Sequence, residues 1–172
     1  DGIIYTNYSS SVYKYENDKQ TSFTSPGYYL DGGIATKPGN IASASSSSSR
    51  LTIMDATGKA TAQYAGIVSP QGLAVDTSGQ LFVASYGNST VVRVSAPNQS
   101  SLFGTVSYPQ TLAFDGQNNL WVNSSSNAIQ LDAQGSVERS IPLTDRSECS
   151  AGEAPENAPL LQVAQEAVAM WK

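Results

Sequence analysis

The sequence predicts an all-β fold, a four-bladed β-propeller whose blades each hold about four antiparallel strands. Three observations carry this expectation. Short runs rich in Val, Ile, Leu, Phe and Tyr are bounded throughout by Gly, Asn, Asp and Ser, the pattern of brief strands joined by tight turns. The runs recur: Leu73-Ala-Val-Asp76 then Leu81-Phe-Val-Ala84 match Leu112-Ala-Phe-Asp115 then Leu120-Trp-Val-Asn123 position for position, 39 residues apart from Leu81 to Leu120. Charged residues are only 13% of the chain, against roughly 25% in an average domain, while 40% are hydrophobic and nine are Tyr. That balance indicates a packed core solubilised by neutral polar groups, not a disordered chain.

The repeat units run over about 1–31, 32–71, 72–110 and 111–143. Beside the two best copies, Ile34-Ala-Thr-Lys37 with Ile41-Ala-Ser-Ala44 forms a third, and Gly2-Ile-Ile4-Tyr-Thr6 a partial fourth. Each unit continues with a polar loop and an alternating strand: Val12–Tyr15, Leu51–Met54, Val91–Val94 and Ile129–Leu131. A turn such as Asp55-Ala-Thr-Gly58 or Asp132-Ala-Gln-Gly135 follows, then a weaker strand near Thr61–Tyr64, Ser101–Val106 or Val137–Ile141. Four strands in a unit of this length is the period of a propeller blade. One blade cannot bury both faces, so the blades must stack to share a core. Glycines such as Gly79 suit the left-handed turn positions, and Asp76 and Asp115 suit turn caps. In this scheme Tyr13 and Tyr15 are expected in the core between blades, and Ser45–Ser49 as a mobile low-complexity loop.

The first unit opens on its second strand. Joining the chain ends aligns Val168-Ala-Met-Trp-Lys172-Asp1-Gly2-Ile-Ile4 with Leu73–Leu81 without a gap. The C-terminal segment 167–172 is therefore expected to complete blade one, with Val168, Ala169, Met170 and Trp171 pairing with Ile3, Ile4 and Tyr5. Such closure removes open sheet edges, within one chain or by exchange with a second; the third alternative is that the chain is a fragment of a larger propeller. A helical stripe through Leu160, Ala164, Ala167, Val168 and Trp171 is the rival reading of the C-terminal segment. Residues 144–166 are expected as an exposed loop and insertion.

The stretch Pro70-Gln-Gly-Leu-Ala-Val-Asp76-Thr-Ser-Gly79-Gln-Leu-Phe-Val-Ala84 resembles the NHL-type propeller repeat, and Pro109-Gln-Thr-Leu-Ala-Phe-Asp115 repeats its opening. The resemblance implies the propeller fold. Relatives of this repeat include ligand-binding modules, lyases and lactonases, so it implies no single activity.

Composition narrows the chemistry. The net charge of −5 and a pI near 4.5 disfavour nucleic acid and anionic membrane surfaces, and no apolar run has bilayer-spanning length. The sequence contains no histidine, which removes Ser-His-Asp and Cys-His arrangements from this chain. Lyases of related propeller type rely on His or on a calcium site. Calcium is the one cofactor to consider, through oxygens of Asp76, Asp115, Asn40 and Asn119, although these positions suit turns better. The remaining acids cluster at Asp145, Glu148, Glu153 and Glu156, a solvated loop. Cys149 stands alone and closes no internal disulfide.

The expected setting is secreted or periplasmic, with Asp1 rather than Met at the start fitting either a removed leader or a trimmed chain. Four sequons, at Asn7, Asn88, Asn98 and Asn123, are candidate N-glycosylation positions. The expected function is a non-catalytic structural or interaction module that binds a protein partner or itself, including by exchange of the terminal strand. A carbohydrate-binding propeller using Tyr and Trp121 in inter-blade grooves is the alternative, and a metal-dependent lyase or hydrolase is the second alternative.

Overall fold

The computed structural model describes residues 3–96 and 99–143. They form four antiparallel sheets in chain order, each a simple meander. Blade one holds β1 (Ile4–Tyr8), β2 (Ser11–Glu16) and β3 (Lys19–Thr24). Blade two holds β4 (Ile34–Lys37), β5 (Asn40–Ser45), β6 (Arg50–Asp55) and β7 (Ala60–Ala65). Blade three holds β8 (Pro70–Val75), β9 (Leu81–Ser85), β10 (Thr90–Ala96) and β11 (Gln99–Thr105). Blade four holds β12 (Thr111–Phe114), β13 (Leu120–Asn123), β14 (Asn127–Leu131) and β15 (Val137–Pro142). The four repeat units are thus four sheets of the propeller type. Among the described residues blade one has three strands. The predicted closure through Val168–Trp171 lies outside the described residues.

Local chemistry explains the turns. Glu16 pairs with Lys19 across a two-residue turn, and Asn17 and Asp18 both take positive φ, +52° and +58°. That double left-handed geometry matches the twist of a hairpin, and Asn and Asp tolerate it. The left-handed positions Ser9, Ser49 and Ser89 recur at a 40-residue spacing, so backbone geometry keeps the same period as the apolar runs.

The core lies at the seams between sheets. Val12 and Leu30 meet Ile41 and Met54 between blades one and two. Ala42, Leu51 and Tyr64 meet Leu73, Leu81 and Val83 between two and three. Phe82, Ala84 and Val91 meet Leu112, Leu120 and Val122 between three and four. Each fully buried Leu, Val or Phe stabilises by about 1.5–3 kcal/mol, so three seams hold the stack. The first strands converge most closely: a Cβ on Gly72 would lie 2.6 Å from the Gln110 carbonyl and 2.7 Å from the Thr111 Cα, and one on Gly33 2.7 Å from the Gln71 carbonyl. Only glycine allows that approach.

One expectation is corrected and another is sharpened. Tyr13 and Tyr15 do not enter a seam among the described residues. They lie on the face of β2 opposite Val12, whose side turns to blade two, and both are half-buried. Strand alternation assigns them a common face but cannot say which face meets a neighbour. The Ser45–Ser49 run, expected as a loop, ends β5 and turns into β6 with hydrogen bonds along it. Ser45 is fully buried, Asp31 accepts hydrogen bonds from the backbone N–H of Ser46 (2.7 Å) and Ser47 (3.2 Å), and Ser69 N–H donates to Ser49 Oγ (3.2 Å). A carboxylate from the preceding linker supplies the acceptors that the turn requires.

Candidate functional site

At one end of blades two, three and four the same device recurs, twice in blade four. Asp55, Asp76, Asp115 and Asp132 close a strand, and Oδ1 of each accepts the backbone N–H two and four residues later, at 2.8–3.1 Å. Three residues on stands a left-handed residue, Gly58, Gly79, Asn118 or Gly135. The Asp side chain imitates a backbone turn, and the left-handed residue lets the chain reverse. Neighbouring turns are laced together: Lys37 Nζ donates to the Gly79 carbonyl (3.2 Å), and Thr77 N–H to Asn118 Oδ1 (3.1 Å).

This device fixes the carboxylates. Asp115 Oδ2 also accepts Asn119 Nδ2 and Trp121 Nε1, each at 3.0 Å. Partial burial pushes the Asp115 carboxyl up, but the bonds from Asn119, Trp121 and Gln117 outweigh it and hold it below its ordinary value. Asp55 is held below its ordinary value chiefly by the Thr57 hydroxyl and N–H. Asp76 and Asp115, with Asn119, therefore act as turn caps. Asn40 starts β5. No cluster of three metal-ligating His, Cys, Asp or Glu side chains occurs among the described residues.

Above these turns two of the seams open into grooves. The groove between blades two and three is ≈200 Å³, lined by Ala35, Ala42, Ile53, Ala62, Tyr64 and Val75 among others. Between blades three and four it is ≈420 Å³. Only the second reaches the ~300–1,000 Å³ of ordinary ligand sites. Its floor is Phe82, Phe103 and Phe114. Phe82 stacks edge-to-face on both, at 4.9 Å to Phe103 and 5.2 Å to Phe114. Its walls carry Asp76, Gln80, Arg93, Gln117 and Asp132. Arg93 is exposed and forms no ion pair among the described residues. Gln80 is committed, donating to the Leu81 and Val94 carbonyls. Arg93, Gln117 and the outer oxygens of Asp76 and Asp132 remain to meet a ligand.

The sequence reading missed this groove. Its signal was a break in the repeat: Arg93 pairs with Phe82 where Ile53 pairs with Ala42. A charge at an apolar position of a repeated strand marks a seam that differs from its neighbours. Trp121, expected in a groove, instead lies on the outer face of blade four, its indole tied to Asp115. The sequons differ in setting. Asn88 is exposed on a 3-10 turn. Asn7 Nδ2 donates to the Gly32 (3.2 Å) and Gly33 (3.3 Å) carbonyls. Asn123 is half-buried in β13, and Asn98 lies outside the described residues, as do Cys149 and the C-terminal acids. Ile3 and Ile4 are exposed, at 40% and 53%, while Tyr5 packs edge-to-face on Phe23 at 5.1 Å.

No family model matches the sequence, and no curated protein matches it. Solved structures do match the fold. A virginiamycin B lyase from Staphylococcus aureus superposes with a TM-score of 0.68 at 12% identity, covering 83% of this chain and 53% of that one. A nidogen/laminin complex chain gives 0.67 at 19% identity, covering 81% and 58%. A luciferin-regenerating enzyme gives 0.67 at 15%, covering 84% and 60%. The S. aureus lyase has also been solved with quinupristin as a catalytically inactive histidine-to-alanine variant. The chain spans about half the length of the solved lyases it matches. At these identities the likeness shows the propeller-type fold and nothing about activity.

Proposed function

We propose that this chain is a secreted, non-catalytic propeller module that works by binding. The observation that supports this most is the commitment of its turn carboxylates. Asp55, Asp76, Asp115 and Asp132 each use Oδ1 to hold their own backbone, and Asp115 uses both oxygens. Holding the turn fixes the direction of each carboxylate, so the outer oxygens left on Asp76 and Asp132 stand as hydrogen-bond acceptors for a ligand, as binding requires. The structural neighbour whose histidine-to-alanine variant is inactive relies on a residue type absent from this sequence.

Two measurements test the reading together. Purified protein, assayed against ester, lactone and cyclic depsipeptide substrates with and without calcium, gives no turnover above the buffer. Millimolar calcium leaves the melting temperature unchanged, since an ion bound to the native state would raise it. Turnover abolished by Asp76→Ala, or a calcium-dependent rise in melting temperature, overturns the reading.

The groove between blades three and four favours a second, more specific reading, in which the ligand is carbohydrate. Aromatic faces stack on the C–H faces of a sugar ring, and Phe103 and Phe114 are half-buried there. A guanidinium, an amide and two carboxylates surround them with donors and acceptors suited to hydroxyl groups. A glycan array carrying neutral and acidic oligosaccharides tests this reading: binding by the wild type is expected, and a blank array sinks it.

A further inference from the structure

The walls of the groove between blades three and four are charged, and the charges do not cancel. Asp76 sits at the turn between β8 and β9, and Asp132 at the turn between β14 and β15. A ligand in the groove therefore meets one carboxylate from each blade. Arg93, on β10, is the one cation that lines it among the described residues. Two negative charges thus stand against one positive, on a chain of net charge −5.

The two carboxylates cannot turn aside. Asp76 Oδ1 accepts the Ser78 N–H (2.8 Å), the Ser78 hydroxyl (2.7 Å) and the Gln80 N–H (2.8 Å). Asp132 Oδ1 accepts the N–H of Gln134 (2.9 Å) and Ser136 (2.8 Å). Each group is needed where it stands to close its turn. Asp115, the neighbouring turn acid, spends Oδ2 on Asn119 and Trp121. Asp76 and Asp132 have no such partner for Oδ2 among the described residues, so that oxygen is the one each presents to the groove.

Hydrogen-bond chemistry then decides what fits. An ionised carboxylate only accepts hydrogen bonds, and a sugar hydroxyl supplies the donor it needs. Arg93 and the Nδ2 of Asn118, whose Oδ1 already accepts the Thr77 N–H, supply donors for hydroxyl and ring oxygens. A uronate or sulfate group brings a further acceptor and a further negative charge. Like charges repel more strongly in a partly desolvated groove than in bulk water. Arg93 alone would reward an anionic group, but the same walls carry two fixed carboxylates against it.

Resting on the carbohydrate reading of this groove, we propose that it selects neutral oligosaccharides over anionic ones, with Asp76 and Asp132 as the residues that set the selection. The ligand's hydroxyls donate to the two Oδ2 atoms, and an acid sugar is turned away by the same atoms.

The test measures wild-type binding to neutral hexose tetramers and to the uronate tetramers of the same linkage, at about 20 mM and about 500 mM salt. At low salt a neutral tetramer is expected to bind at least about tenfold more tightly than its uronate counterpart. High salt narrows that gap, because the repulsion is screened. In Asp76→Asn and Asp132→Asn the amide oxygen still accepts the turn N–H groups, so the charge goes and the turn stays. Each variant is expected to narrow the low-salt gap at least about threefold. Asp55→Asn removes the same charge from the same kind of turn outside this groove, and leaves the gap as it is. A uronate bound as tightly as its neutral counterpart, a gap indifferent to salt, or an equal response to all three variants overturns the selection while leaving carbohydrate binding in place. No binding of any tetramer overturns the selection and the carbohydrate reading together.

Discussion

The seams between blades two and three and between blades three and four are built from the same repeat, yet they differ in kind. The first joins small aliphatic side chains, Ala42 opposite Ile53 with Val75 across the seam. The second places Phe82, Arg93 and Phe114 at those positions. The exchange turns a tight apolar seam into a groove with an aromatic floor and charged walls. The repeat thus specifies that blades stack, and departures from it specify where a ligand can enter.

Breaking the aromatic seam gives the largest effect. Phe82→Ala removes two edge-to-face contacts and opens a cavity, and urea denaturation is expected to show a loss of about 3–5 kcal/mol. Ala42→Gly, at the matching place in the other seam, is expected to cost about 0.5–1 kcal/mol. A loss at Phe82→Ala no larger than that at Ala42→Gly would contradict the larger share given to the aromatic seam.

Gly135→Ala comes next. Gly135 has φ +83°, and its added Cβ would overlap the Phe103 carbonyl. A loss of about 3 kcal/mol is expected by thermal or urea unfolding. Gly39→Ala, at φ +78° but with nothing within 4 Å, isolates the backbone part of that loss, about 1 kcal/mol.

Acid titration separates the turns from the seams. Asp31, Asp55 and Asp115 are all held below their ordinary value of 3.8. A depressed carboxyl stabilises the fold fully above its unfolded pKa and loses that contribution as pH falls through the folded pKa. Asp115→Asn is expected to cost about 1 kcal/mol at pH 7, reduced by solvent screening. The gap from wild type should close below about pH 4. A gap independent of pH would assign the loss to packing of Trp121 instead.

The sheets were legible because their signals are local: alternation along a strand, Gly or Asn at a left-handed turn, Asp two residues before an N–H it can hold. The groove was not, because it joins side chains from β9, β10, β11 and β12, and only the three-dimensional stack places Phe103 beside Phe114. The outward position of Tyr13 and Tyr15 escaped for a related reason. The pleat separates two faces, while the neighbour that covers one of them is decided by blade order.

Arg93→Ile makes the third seam chemically like the second and has the smallest effect on stability, within about 0.5 kcal/mol for an exposed position. It is therefore the sharpest probe of binding. Isothermal titration of an array-positive oligosaccharide into wild type and Arg93→Ile tests the central claim most directly. Saturable binding by the wild type, weakened at least about tenfold in the variant at equal stability, is the predicted result. Equal affinity in the two proteins, or no saturable binding by the wild type, would contradict it.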